Sequence, residues 1–244
     1  MFLANVTRNI QFKFKDRASA ARSLGEILKY TIKKEDRKNT LILAIPRAGV
    51  LTADIVAQKL SISNFEPIFI RKLTDPDNKE QAIGAIVDNG LTVVLNDMVK
   101  KFQIPTGYLE KEILFQLKEI EQRKRKYYQY FQNNLLNEKI KDYRIILIID
   151  DGIATGASVM VTAKSIHQFD KDCSISGRRV IIAAPVASQQ IADQLKRECF
   201  AEVITVFDPD QKKFHSVEQY HKNFEQVTDE EVINILRKRL VPKI

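Results

Sequence analysis

The chain is poor in the residues that build disulfide scaffolds and metal centres. Its 244 residues include two cysteines, Cys173 and Cys199, and three histidines, His167, His215 and His221. There is no CxxC pair, and no histidine stands at metal-ligand spacing from either cysteine. A disulfide framework and a structural zinc site are therefore excluded. Two reduced thiols in a cytoplasmic protein are expected. No histidine adjoins a serine or cysteine in a hydrolase motif, so a catalytic triad has no support. No run approaches the roughly 18 apolar residues that a membrane span needs. The opening "MFLANVTRNIQFKFKD" lacks a signal-peptide layout, because its apolar run is too short. Repeats, low-complexity tracts and Pro/Ser linkers are missing too.

What is present describes a globular chain. It is 44% hydrophobic and 29% charged, with a net charge of +8 and a pI near 9.3. That length and composition support a buried core and argue against disorder. The basic balance attracts polyanions, either nucleic acid or small phosphorylated molecules, although part of the excess is surface lysine.

The hydrophobic pattern alternates between strands and helices. Asp16 reads as an N-cap, with a helical pattern in "RASAARSLGEILKYTIKK" after it. "TLILAI" (40–45), "PIFI" (67–70), "RIILIID" (144–150), "RRVIIAAPV" (178–186) and "EVITVF" (202–207) read as five buried strands. "VLTADIVAQKL", "SVMVTAKSIHQF" and "SQQIADQLKREC" read as helices between them. Strands that are apolar throughout, separated by helices, predict an α/β fold: a parallel sheet of about five strands with helices on both faces. One domain over residues 1–244 is expected. "AIGAIV" and "LTVVLN", joined through Asp88-Asn89-Gly90, give a hairpin signal, so residues 73–96 are expected to form a β-flap projecting from the core. A long charged helix is expected from about Tyr108 to Phe131, and a last helix near 229–239. The polar stretch from Phe207 onward reads as a small C-terminal hood (207–244).

In such a sheet, ligands bind beyond the carboxyl ends of the strands. Chemistry-bearing residues stand there: Pro46-Arg47-Ala48-Gly49, Arg71-Lys72 and Asp150-Asp151. The stretch "IILIIDDGIATGAS" combines two chemistries. A strand-to-helix turn offers free backbone amides and the positive end of a helix dipole. Gly152 and Gly156 let the backbone approach a ligand, and Thr155 and Ser158 add short donors. This makes a phosphate cradle. It is neither a Walker loop nor a GxGxxG fingerprint. The paired carboxylates would repel a phosphate but would accept hydrogen bonds from a vicinal diol or hold a hydrated Mg²⁺. A diol at one end and a phosphate at the other describe a ribose 5-phosphate.

The same stretch resembles the phosphoribosyl pyrophosphate (PRPP) signature of the type I phosphoribosyltransferases. "LAIPRAGVLTADIVA", "IRKLTDPDNKEQAIGAI" and "VIIAAPVAS" are similar to a less-characterised branch of that superfamily, with a PRxGV loop and an RKL…AIGA segment. The resemblance covers most of 40–207. It implies that Asp150 and Asp151 bind the ribose hydroxyls and, through PRPP or water, a Mg²⁺ cofactor. Gly152, Ile153, Ala154, Thr155, Gly156, Ala157 and Ser158 would hold the 5-phosphate. Backbone amides of Arg47, Ala48 and Gly49 would meet the pyrophosphate, in a loop where the family often has a non-proline cis peptide. Arg47, Arg71 and Lys72 would act on the leaving group. Glu80 would belong to a mobile loop, and Phe207 and Asp208, with Phe214 and Tyr220, are candidates for the acceptor side. The implied reaction is transfer of ribose 5-phosphate from PRPP to a nitrogenous acceptor, with a nucleobase as the expected one, by an enzyme of a superfamily that often dimerises.

Three positions depart from the family pattern. Ala154 replaces the acid that hypoxanthine-guanine enzymes use near the purine N7, Ala157 replaces a glycine, and Ser158 replaces a threonine. A second reading is a PRPP- or nucleotide-binding regulator on the same fold, its basic helix near Arg123 touching nucleic acid. Two features weigh against it: Arg47, Arg71 and Lys72 are retained, and no helix-turn-helix segment precedes the core. In "RKRKYYQYF", Tyr127, Tyr130 and Phe131 are expected to pack inward, with Arg123 to Lys126 facing solvent, and nucleic-acid binding is not expected. The acids Asp75, Asp77 and Glu80 read as a solvated loop in preference to a metal cluster.

Overall fold

The computed structural model describes residues 13–79, 82–88, 92–94, 96–128 and 139–240. The elements run α1 (Arg17–Thr31), β1 (Thr40–Ala44), α2 (Ala48–Leu60), β2 (Phe65–Pro67), β3 (Ile70–Thr74), β4 (Ala82–Val87), β5 (Thr92–Val94), α3 (Asn96–Lys101) and α4 (Thr106–Tyr128). Then follow β6 (Ile145–Ile149), α5 (Ala157–Asp172), β7 (Arg179–Val186), α6 (Gln189–Cys199), β8 (Glu202–Phe207) and α7 (Asp229–Leu240).

Five parallel strands form the main sheet in the order β2-β1-β6-β7-β8. Period-2 alternation divides each apolar strand between two cores. Ile42 and Ala44 of β1, with Ile145, Leu147 and Ile149 of β6, pack under α1, α2, α4 and α7. Leu41 and Leu43, with Ile146 and Ile148, pack under α5 and α6. This is why the strands read as continuous apolar runs: neither face meets water. Helix starts follow their local chemistry. Asp16 Oδ1 accepts from Ser19 N at 2.7 Å while Ser19 Oγ accepts from Asp16 N at 3.0 Å, a reciprocal capping box. Ser188 caps α6 through Ile191 N.

The expected strand at 67–70 is a correction. The parallel ladder ends at the pair Ala44–Pro67, where β1 itself ends. After Ile68 donates to Ala44 O, the chain crosses to a separate three-stranded antiparallel sheet, β3-β4-β5. Arg71 and Lys72 therefore lie within β3, facing Ile86 and Ala85 across the ladder. The hairpin β4–β5 is present. The small sheet begins at Ile70 and packs into the molecule instead of projecting from it: Leu73, Ile83, Ile86 and Val87 are fully buried. Asn89, Gly90, Tyr130 and Phe131 lie outside the described residues; Tyr127 packs inward as expected. Among the described residues no helix is long and apolar enough to cross a membrane.

Candidate functional site

β1 and β6 are neighbours at the point where the strand order reverses, with Ala44 paired to Ile149. Their following loops are thus held side by side at the carboxyl edge, where open α/β sheets bind ligands. Ile45 N donates to Ile149 O at 2.9 Å, tying the two loops together. The Pro46–Arg47 peptide is cis. Gly49 sits against the end of β6. A Cβ there would lie 2.9 Å from Ile149 O and 3.2 Å from Asp150 Oδ1, so only glycine allows this approach.

The second loop closes a small cavity of about 170 Å³, lined by Asp150 and by the residues from Gly152 to Val159. Gly156 takes φ +75° and starts α5. First-turn amides of a helix have no intrahelical acceptor; of these, Ala157 N makes a long 3.5 Å contact to Thr155 Oγ1. A turn of this kind at a helix N-terminus is a cradle with the chemistry to suit an anion.

A larger cavity of about 610 Å³ adjoins it. Arg47, Asp150, Asp151 and Ser158 line one side. The segment after β8 supplies Val217, Glu218, Phe224 and Gln226 on the other. Val217 covers the cradle closely, since a Cβ on Gly152 would fall 2.3 Å from Val217 Cγ1. Asp150 accepts from Asp151 N at 2.8 Å. Burial pushes its carboxyl up to about 7, only partly opposed by Arg17. Arg17, from the first turn of α1, forms an ion pair with Asp151. Its guanidinium lies 3.5 Å from the centroid of the Phe224 ring, and its Nε donates to Glu225 O at 3.0 Å.

The structure thus brings Arg47, Ala48 and Gly49 together with Asp150, Asp151 and Ser158. It does not bring Arg71 and Lys72 to the cavity. Arg71 Nε donates to Gln116 Oε1 at 2.7 Å, and Lys72 is exposed on β3. Phe207 and Phe214 pack on Tyr220, with centroids 5.1 and 5.9 Å away, and line no part of the cavity. Asp208 is bonded to Thr205 Oγ1. Asp77 N donates to Asp75 Oδ1 at 2.9 Å, a local turn, and Glu80 lies outside the described residues. Arg17, on the cavity wall, escaped sequence reasoning, and Arg123, expected to face solvent, lines the same cavity instead. Arg17 is one residue past a visible N-cap, but nothing in the sequence brings that cap beside Asp151.

The sequence pattern of the phosphoribosyl transferase domain matches residues 13–223. The chain belongs to that family. Two proteins of Mycobacterium tuberculosis, whose names assign them provisionally as phosphoribosyl transferases, are each 29% identical over 223 residues, 91% of this chain. The chain spans about half the length of those relatives, 46% of each. The crystal structure of TT1426 from Thermus thermophilus superposes with a TM-score of 0.74 at 30% identity, covering 94% of this chain and all of that one. The match of the phosphoribosyl transferase domain takes in both sheet-edge loops, α1 with Arg17, and the C-terminal segment up to Asn223.

Proposed function

We propose that the protein transfers ribose 5-phosphate from PRPP to a nitrogenous acceptor, in the first instance a nucleobase, and releases pyrophosphate. The observation that supports this reading is the juxtaposition of a small cavity at the α5 N-terminus with two adjacent carboxylates, one of them raised by burial and only partly opposed by Arg17. The α5 N-terminus and Ser158 take the 5-phosphate. Asp150 and Asp151 accept hydrogen bonds from the ribose hydroxyls. Arg47 and the amides of Ala48 and Gly49 face the pyrophosphate, where negative charge grows as the bond to ribose C1 breaks. Arg71 and Lys72 are the further cations proposed for that leaving group. They stand outside the cavity, so their part requires the small sheet to approach it.

The donor set suits Mg²⁺. Asp150 and Asp151 are hard oxygen donors, and among the described residues no third acid or histidine joins them in a cluster. Such a pair leaves most positions to substrate oxygens and water, as Mg²⁺ prefers. When bound, the ion would neutralise charge on the pyrophosphate oxygens.

The basic stretch of α4 is engaged within the molecule, which weighs against the regulator reading. Lys124 pairs with Asp88 at 3.6 Å, Arg125 with Glu121 at 3.4 Å and Lys126 with Asp229 at 2.5 Å. A screen for pyrophosphate release across purine and pyrimidine bases, with PRPP and Mg²⁺, tests the proposal. Turnover with a base is expected. PRPP binding with no release for any base, together with salt-dependent nucleic-acid binding, would favour a sensor.

A further inference from the structure

Arg17 occupies an unusual position for a cation. It is half-buried in the cavity wall, and its guanidinium faces the carboxylate that the proposed reaction assigns to a ribose diol. It is also the side chain that joins that carboxylate to the C-terminal cover. Its planar head lies on the face of Phe224, and its Nε holds the Glu225 carbonyl. The base of the cover is fixed independently: Phe14 N donates to Tyr220 O at 3.0 Å, Lys222 N to Phe14 O at 3.0 Å, and Asn223 N to Lys15 O at 2.9 Å. Beyond Asn223, Arg17 ties residues 224–225 across the cavity to Asp151.

We infer that Arg17 is a positioning residue: it is the built-in counter-ion of the ribose site, exchanged for the substrate's diol, and its exchange releases the cover over the acceptor side. The inference rests on the ribose 5-phosphate reading. Two observations carry it. Asp151 cannot give its outer oxygen fully to both Arg17 and a ribose hydroxyl, so an arriving diol competes with the ion pair. A hydrated dication near Asp150 and Asp151 would also repel the guanidinium. When Arg17 leaves Asp151, only the attraction of Asp150 and Glu218 still holds its charge in the cavity wall. Residues 224–226 then loosen, while the clip at 220–223 and the buried Val227 hold. The functional result is an order of events: the sugar phosphate docks, and only then does the far side of the cavity open to the acceptor.

The test is calorimetry with Mg²⁺ and PRPP on the full chain, in mildly alkaline buffer so that the carboxylates stay ionised, combined with amide hydrogen exchange. Arg17→Ala and Arg17→Gln are expected to bind PRPP about five- to tenfold tighter than the unaltered protein, because no ion pair has to be displaced. Arg17→Lys restores the charge and is expected to return the affinity toward the original. In the unaltered protein, saturation with PRPP is expected to speed exchange at 224–226 but not at 220–223. In Arg17→Ala, exchange at 224–226 is expected to be fast before PRPP is added. Equal or weaker PRPP binding by both neutral variants, or PRPP slowing exchange at 224–226, would overturn the counter-ion role and make Arg17 a direct substrate contact. If PRPP binds neither the unaltered protein nor any variant, the ribose 5-phosphate reading itself falls, and this inference with it.

Discussion

Asp150 and Gly49 serve the site at some cost to the ligand-free protein or to freedom of sequence. Asp150 is held where burial disfavours its charge and Arg17 only partly compensates. Asp150→Asn is expected to stabilise the ligand-free protein by about 1–2 kcal/mol at neutral pH, since it removes an under-neutralised buried charge in nearly the same shape. The same change is expected to weaken PRPP binding by about tenfold or more. Thermal melting beside calorimetry checks both signs; a lower melting temperature would mean that the carboxylate is well compensated. Gly49→Ala places a methyl 2.9 Å from Ile149 O and is expected to cost about 1–3 kcal/mol while separating the two loops. Retained affinity for PRPP in that variant would show that the loops can part without consequence. Both residues were legible in the sequence: Asp150 in the strand–DDG–TG–helix pattern, which carries its own chemistry, and Gly49 in the PRAG segment directly after a strand. Arg17 was not legible: its partner lies 134 positions away and is reached only through the packing of α1 on the sheet.

At the scale of elements, the parallel strands and their helices followed from hydrophobic patterning, since strands buried on both faces and amphipathic helices have distinct periods. The run at 67–70 misled because composition does not say where a partner strand ends. Ile68 and Phe69 are apolar for a different reason: they cross from one sheet to the other through the core. The cover was visible as a polar tail, but the aromatics singled out there, Phe207, Phe214 and Tyr220, pack on one another, whereas Val217 and Phe224 face the site. Aromatic content alone cannot distinguish a small core from a ligand wall. The contact between Val217 and Gly152 gives this element a specific test. Gly152→Ala is expected to destabilise the protein by about 1–3 kcal/mol, because the cover must move away. Adding Val217→Ala should recover most of that loss in a double-mutant cycle. Simple additivity of the two changes would show that cover and cradle are not in energetic contact.

Across the whole molecule, buried charge links the small sheet to α4. Lys124 reaches Asp88 at the end of β4, and burial pushes the Asp88 carboxyl up to about 6 despite that lysine. Glu66, nearby on β2, receives Lys139 at 2.5 Å and the Tyr128 hydroxyl at 3.2 Å. A carboxyl whose value is raised by folding binds its proton more tightly in the folded state. Its contribution to stability is therefore lowest above about pH 6 and rises as pH falls toward the ordinary aspartate value of 3.8. Relative to the unaltered protein, Asp88→Asn should flatten the pH dependence of stability over that window by on the order of 2 kcal/mol. Denaturant titrations at several pH values measure it, and parallel curves for the two proteins would contradict the assignment.

The central claim is that the two sheet-edge loops form one site for a ribose 5-phosphate bearing pyrophosphate. Isothermal calorimetry with PRPP and Mg²⁺, comparing the unaltered protein with Asp150→Asn/Asp151→Asn, tests it most directly. The account predicts saturable binding that the double variant loses. Absence of binding to the unaltered protein, or equal binding by the two, would contradict it.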